Sequence, residues 1–281
     1  MSSALAGPAG QWAYFGCVAA GIALAGIVAK FQRRADGRDV VDPAQRFAVT
    51  LAAAIGAIAG AYLFELPADV WHWAWQPTSL DGSGATSGAE VNWPRGDLLP
   101  LGGRTVLGGL IGGWLAVEWQ KRRLGITVAT GDAFAAPLAV SLACGRVGCL
   151  FAGCCASRPD AQLMPWLPAP AIEALFHGAA ALLLFVAARR DRSADEGATS
   201  TAATSGRSRG RRLAAYLALY ALLRFALEFE RANPRLLARL TYYQWLALLL
   251  LAITGSTWWH RRPRPEPSTT QPPPRVRDIA A

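Results

Sequence analysis

Residues 216–231 read YLALYALLRFALEFER. Up to Leu223 every side chain is apolar or a tyrosine, and the apolar positions run all the way round a helix. A surface helix of a soluble protein would instead show one apolar stripe and one polar face. A helix that is apolar all round belongs in a large core or in a lipid bilayer. Arg224 then interrupts the run, and Glu228 follows four residues later on the same helical face. A charge held in hydrocarbon is costly, and such residues face a bundle interior or a functional cavity. The choice between soluble core and membrane therefore decides the fold.

The rest of the chain favours the membrane. A bilayer core about 30 Å thick needs roughly 20 apolar residues per helix. Seven stretches qualify, near 12–32, 46–65, 104–120, 132–152, 170–188, 213–231 and 241–259. The first (WAYFGCVAAGIALAGIVAK, from Trp12) carries no charge until Lys30. The third, TVLGGLIGGWLAVEW, is short and glycine-rich, which suits close helix approach inside a bundle. Apolar residues make up 53% of the 281 and charged residues 17%, a balance unusual for a soluble chain. The expectation is an all-α polytopic membrane protein of about seven transmembrane helices over residues 1–260. Residues 1–11 have no positively charged segment of the signal-peptide kind, so the N-terminus is expected to run straight into the first helix.

The formal charge of +9 suits nucleic acid or an anionic membrane surface, and position separates the two. The basic runs RRADGR (33–38), QKRR (120–123) and RGRR (209–212) lie at helix ends. There they read as anchors on anionic lipid rather than a nucleic-acid surface. Most Lys and Arg residues fall in the first, third and fifth connections and the tail. The positive-inside rule then predicts an outer N-terminus and a cytoplasmic C-terminus in a bacterial inner membrane. Residues 66–103 hold Trp71, Trp73, Trp75 and Trp93, read as an arm on the outer, periplasmic face. Residues 190–211 contain a flexible cytoplasmic linker, and the Pro/Arg-rich tail 261–281 is expected to be disordered.

Besides Arg224 and Glu228, Arg146 sits at the outer end of the fourth span between Gly145 and Gly148, where another backbone or a ligand can come close. Glu173 and His177 form an i,i+4 pair in the fifth span. The histidine is read as a satisfied core residue, the carboxylate as a candidate for the site. Asp132 opens the fourth helix and is read as its cap. Two arginines and two carboxylates near one membrane face suggest an anionic lipid headgroup, because guanidinium grips phosphate through paired hydrogen bonds. CGRVGCLFAGCC (144–155) gathers Cys144, Cys149, Cys154 and Cys155. The spacing lacks the paired pattern of structural zinc. Cys149, Cys154 and Cys155 leave open a reactive thiol, a disulfide or metal binding, while Cys17 and Cys144 suit helix packing.

Taken together, these pieces resemble the prolipoprotein diacylglyceryl transferase family over about residues 12–255. LGGLIGG (107–113) matches the family's HGGLIG-type motif, and GRVGCLFAGC (145–154) its GRxGNFxNGE signature. LPAPAIE (167–173) stands where the family has HPSQLYE. YALLRFALEFER (220–231) keeps the YxxxRxxxEFxR pattern, and Gln244 in TYYQW matches the opening of the last span. The resemblance implies transfer of diacylglyceryl from phosphatidylglycerol, or another anionic phospholipid, to the thiol of a prolipoprotein lipobox. No cofactor or metal is implied, and the protein is expected to act as a monomer with no nucleic-acid partner. Arg146, Arg224 and Glu228 would be catalytic, with the arginines on the phosphate and Glu228 orienting Arg224. Tyr14, Gly108, Gly109, Gly148, Glu173, Tyr220 and Arg231 would bind substrate.

Several family positions differ here. The histidine before GG is Leu107, which cannot take a proton. The asparagine and acid of the signature are Cys149 and Cys154, and the HPSQLYE histidine and tyrosine are Leu167 and Ile172. Three outcomes stay open: Glu173 or Glu228 as the base, a cysteine of 149–155 as a covalent relay, or a lipid-binding, thiol-binding, redox or metal-binding relative without the transferase reaction.

Overall fold

The computed structural model describes residues 8–36, 42–67, 105–127, 130–153, 167–197, 211–231, 233 and 237–260. The Trp-rich arm beyond residue 67, most of the expected linker, the tail, and Cys154 and Cys155 lie outside the described residues. Seven helices are described: α1 (Pro8–Asp36), α2 (Pro43–Leu63), α3 (Val106–Arg123), α4 (Asp132–Ala152), α5 (Ala169–Gly197), α6 (Arg211–Leu227) and α7 (Tyr242–His260). Each coincides with an expected span. α5 runs past the expected end near 188, through Arg190 and on to Gly197.

Four helices are long and apolar enough to cross a membrane by length and composition: Ala9–Gln32, Pro43–Leu63, Asp132–Ala152 and Ala169–Arg190. The other three are shorter or more polar. α3 has 18 residues and ends in Lys121, Arg122 and Arg123, and α6 has 17 and contains Arg224. The distribution of side chains is that of an all-α membrane protein. Apolar groups face outward, with Phe47 70% and Leu183 69% exposed, while Glu173 and His177 are fully buried. Water cannot be the solvent of such a surface over a whole bundle, whereas lipid tails can.

Close contacts show how the helices run. α2 packs on α3 through GAIAG (56–60) and GGLIGG (108–113). A Cβ added at Gly60 would meet the Gly108 carbonyl and the Gly112 Cα, so the two backbones touch. Only glycine allows that approach, and the intimate contact replaces the hydrophobic drive that is missing in lipid. Gly21 packs on Cys144, and Gly148 on Tyr14 and Cys17, which sets α1 antiparallel to α4. At the far end of the bundle, the Arg211 guanidinium lies 4.1 Å over the Trp258 ring, setting α6 antiparallel to α7.

Asp132 was expected to cap its own helix. Instead Gly131 holds the N-cap position of α4. The Asp132 carboxylate accepts the backbone N–H groups of Arg212 at 3.0 Å and Leu213 at 3.2 Å, at the start of α6. It therefore satisfies donors of a helix eighty residues on, a pairing that local sequence could not reveal. The same contact shows that α4 and α6 start on one face and run parallel. At the opposite face, the Tyr242 hydroxyl donates to the Phe64 carbonyl (2.7 Å) and the Tyr243 hydroxyl to Glu65 (2.7 Å), pinning the start of α7 to the end of α2. All these contacts fit seven helices that alternate in direction.

Replacing Asp132 by alanine should cost about 1 kcal/mol of stability, seen as a lower thermal midpoint in detergent, and Asp132→Asn should recover most of it. Gly60→Val should do far more damage, because a branched side chain must push α2 off α3. Loss of monodisperse protein on size exclusion reads that outcome.

Candidate active site

The intramembrane charges meet at the face where α4 and α6 end and α5 and α7 begin. Glu173 stands on the first turns of α5 and is fully buried. Its Oε2 lies 2.5 Å from Arg146 Nε, and its Oε1 lies 3.8 Å from Arg224 Nη1. Both arginines are themselves buried, each 6% exposed. Arg224 reaches one turn along its own helix to Glu228, with Nη2 2.9 Å from Oε2. Among the described residues, two guanidiniums and two carboxylates thus balance within one cluster. Balance is what lets charges stay inside, since an unpaired buried ion costs several kcal/mol.

Neutral groups complete the cluster. Arg146 Nη2 donates to the Tyr220 hydroxyl (3.1 Å), which donates in turn to Glu173 Oε2 (3.3 Å). Tyr220 is fully buried, and its ring stacks at 6.1 Å on Phe176 and lies 4.5 Å from His177. His177 Nδ1 shares a hydrogen bond with the Tyr216 hydroxyl (2.8 Å). The histidine expected in the core is there, held one turn along α5 from Glu173.

Beyond Leu227 the helix tightens into a 3-10 turn, Glu228–Glu230, and the chain turns extended at Arg231. A second short turn, Leu237–Arg239, carries Ala238 and Arg239 at φ 54° and 60°. These left-handed residues bring the chain back towards α6, at the strain that non-glycine residues bear there. Asn233 and Thr241 then both donate to Glu228 Oε1, Thr241 at 3.2 Å. Thr241 also starts α7. Its Oγ1 accepts the Gln244 backbone N–H (3.3 Å), while Gln244 Oε1 accepts the Thr241 N–H (2.8 Å). That reciprocal arrangement is a capping box. Gln244 Nε2 donates further, to the Phe225 carbonyl of α6 (3.3 Å).

Of the candidate residues, Arg146, Glu173, Tyr220, Arg224 and Glu228 come together. Gly148 and Tyr14 touch each other beside the same end of α4. Arg231 is half-buried and follows the 3-10 turn, its N–H donating to the Glu228 carbonyl at 3.2 Å. Gly108 and Gly109 lie in the contact with α2. Leu107 is in the apolar core with Tyr216 and Tyr220. Cys149 is buried beside Gly148, and Cys17, Cys144 and Cys149 form no disulfide. Among the described residues no three His, Cys, Asp or Glu side chains gather as a metal site. Asn233 and Thr241 were missed. The TYYQ spacing of a capping box was a usable signal for Thr241, and nothing local pointed to Asn233.

Fold and cluster define a membrane protein with a buried, charge-balanced site at one face of its helical bundle. The family model for prolipoprotein diacylglyceryl transferase matches residues 11–260, most of the chain. The protein belongs to that family of membrane transferases. No curated protein and no solved structure matches the chain.

Removing one partner of a buried ion pair costs about 3–5 kcal/mol. Arg224→Ala and Glu228→Ala should each destabilise the protein by that order. The double variant should cost well below their sum, because neither charge is left stranded. A thermal-unfolding double-mutant cycle in detergent measures the coupling.

Proposed function

We propose that the protein transfers the diacylglyceryl group of phosphatidylglycerol, or of another anionic phospholipid, to the lipobox cysteine of a prolipoprotein. The observation that carries this reading is the convergence of buried Arg146 and Arg224 on one carboxylate, in a chain of this family. Guanidinium presents paired N–H donors that match phosphate oxygens, and a dry site strengthens the attraction. In the reaction the acceptor sulfur attacks the glycerol carbon, and the bond from that carbon to the phosphate oxygen breaks. The two arginines steady the charge left on the departing glycerol phosphate, the kind of stabilisation that often supplies the largest catalytic contribution.

The remaining residues take supporting parts. Glu228, held by Asn233 and Thr241, fixes the direction of Arg224. Tyr220 aligns Arg146, and Tyr14, Gly148, Glu173 and Arg231 form the surroundings of the lipid. Gly108 and Gly109 serve by holding α3 against α2. The basic ends of the helices sit at the face opposite the cluster, which favours a cytoplasmic placement for them. The cluster would then open towards the outer leaflet of a bacterial plasma membrane, with the N-terminus outside and the C-terminus inside. The protein would act there as a monomer.

Purified protein should add a diacylglyceryl mass to a lipobox peptide in vesicles containing phosphatidylglycerol, and not in pure phosphatidylcholine vesicles. Arg146→Ala and Arg224→Ala should each slow the transfer by at least about 100-fold. Lysine at either position should not restore it, since one point charge cannot copy the guanidinium fork. A wild-type protein that yields no lipidated peptide ends this reading.

A further inference from the structure

Glu173 lies between the two arginines that the transferase reading assigns to the lipid phosphate. Its two oxygens are divided between the two arginines, Oε2 against Arg146 and Oε1 towards Arg224. A phosphate gripped by both guanidiniums would compete directly with this carboxylate. The two acids of the cluster are not equally replaceable. Glu228 has neutral donors in Asn233 and Thr241, so it stays bound when Arg224 turns to another anion. Among the hydrogen bonds of Glu173, the Tyr220 hydroxyl is the neutral donor. Losing both arginines would leave that carboxylate fully buried and, among the described residues, with the Tyr220 hydroxyl at 3.3 Å.

Resting on the transferase reading above, we propose that Glu173 is an exchangeable counter-ion and the proton acceptor of the reaction. Lipid phosphate displaces the Glu173 carboxylate from Arg146 and Arg224. A buried carboxylate stripped of its cations is costly, and taking a proton removes that cost. The acceptor thiol supplies the proton. Its S–H bond breaks towards Glu173, the sulfur forms the new bond to the glycerol carbon, and the electron pair of the broken carbon–oxygen bond leaves with the phosphate. The departing glycerol phosphate, which has gained a negative charge, takes the proton from Glu173, and the carboxylate pairs with the arginines again. This assigns the proton to a residue one turn from His177 on α5 and accounts for how the site can work with leucine at position 107.

The test separates binding from chemistry. Glu173→Gln removes the competing charge while keeping size and hydrogen bonding. Full-length variant and wild type, in phosphatidylcholine nanodiscs doped with phosphatidylglycerol and without acceptor peptide, are compared for retention of labelled phosphatidylglycerol. The variant should hold it more tightly, by about tenfold for one competing charge removed. With lipobox peptide added, the same variant should transfer at least about 100-fold more slowly, the loss expected of a missing proton acceptor. Glu173→Asp should recover part of the transfer.

A merely structural role would weaken binding and transfer together, and that result overturns the proposal. So does Glu173→Gln that binds no tighter, or that transfers within a few-fold of wild type. Inorganic phosphate at millimolar concentration should not displace the labelled lipid; if it does so as well as unlabelled lipid, the exchange is with free phosphate and the lipid part is overturned. Wild type that retains phosphatidylglycerol yet lipidates nothing fails the transferase reading and the proton-acceptor role, while the affinity comparison still decides the counter-ion role.

Discussion

Charge inside an apolar bundle has to be balanced, and the contact of Glu173 with Arg146 does most to achieve it. Without that carboxylate, two guanidiniums would share Glu228 alone among the buried acids of the cluster. The three residues come from α4, α5 and α6, and Tyr220 of α6 ties Arg146 to Glu173 a second time. The ion pairs therefore fix the relative positions of three helices at one face. In lipid, where apolar contact offers little preference between partners, such polar ties and close backbone contacts choose the packing.

The two means of packing are used in different places. α2 and α3 meet through glycines whose backbones touch. α4, α5 and α6 meet through a buried ionic cluster. α7 joins both regions. Its first turn is tied to the end of α2 by Tyr242 and Tyr243, and its capping threonine reaches Glu228. Glu65, at the end of α2, is another buried carboxylate close to this junction, and Tyr243 donates to it. The start of α7 thus links the glycine-packed pair to the charged site.

Two of the departures from the family pattern, Leu107 and Cys149, are buried among the described residues. Leu107 stands where the family has a histidine and packs into the apolar core beside Tyr216 and Tyr220. His177, on a different helix, hydrogen-bonds Tyr216 and lies against the Tyr220 ring. The core around Tyr220 has thus lost one polar group on α3 while holding another on α5. Cys149, in place of the family's asparagine, is buried next to the α1–α4 contact.

By itself the sequence determined the all-α membrane class, the positions of the seven helices and the residues of unusual cost within them. Those features are written in short windows: apolar runs set the helices, and an arginine inside such a run is anomalous wherever the helix lies. Spacing of four residues also placed Arg224 and Glu228 on one face. What spacing could not supply was partnership between distant segments. Only the tertiary structure decided that Glu173 sits between two arginines, that Asp132 caps α6 rather than α4, and that Asn233 and Thr241 hold Glu228. It also showed Gly108 and Gly109 against the backbone of α2. The physical reason is that a side chain's periodicity tells which way it points from its own helix, while its partner depends on which helix the packing brings opposite.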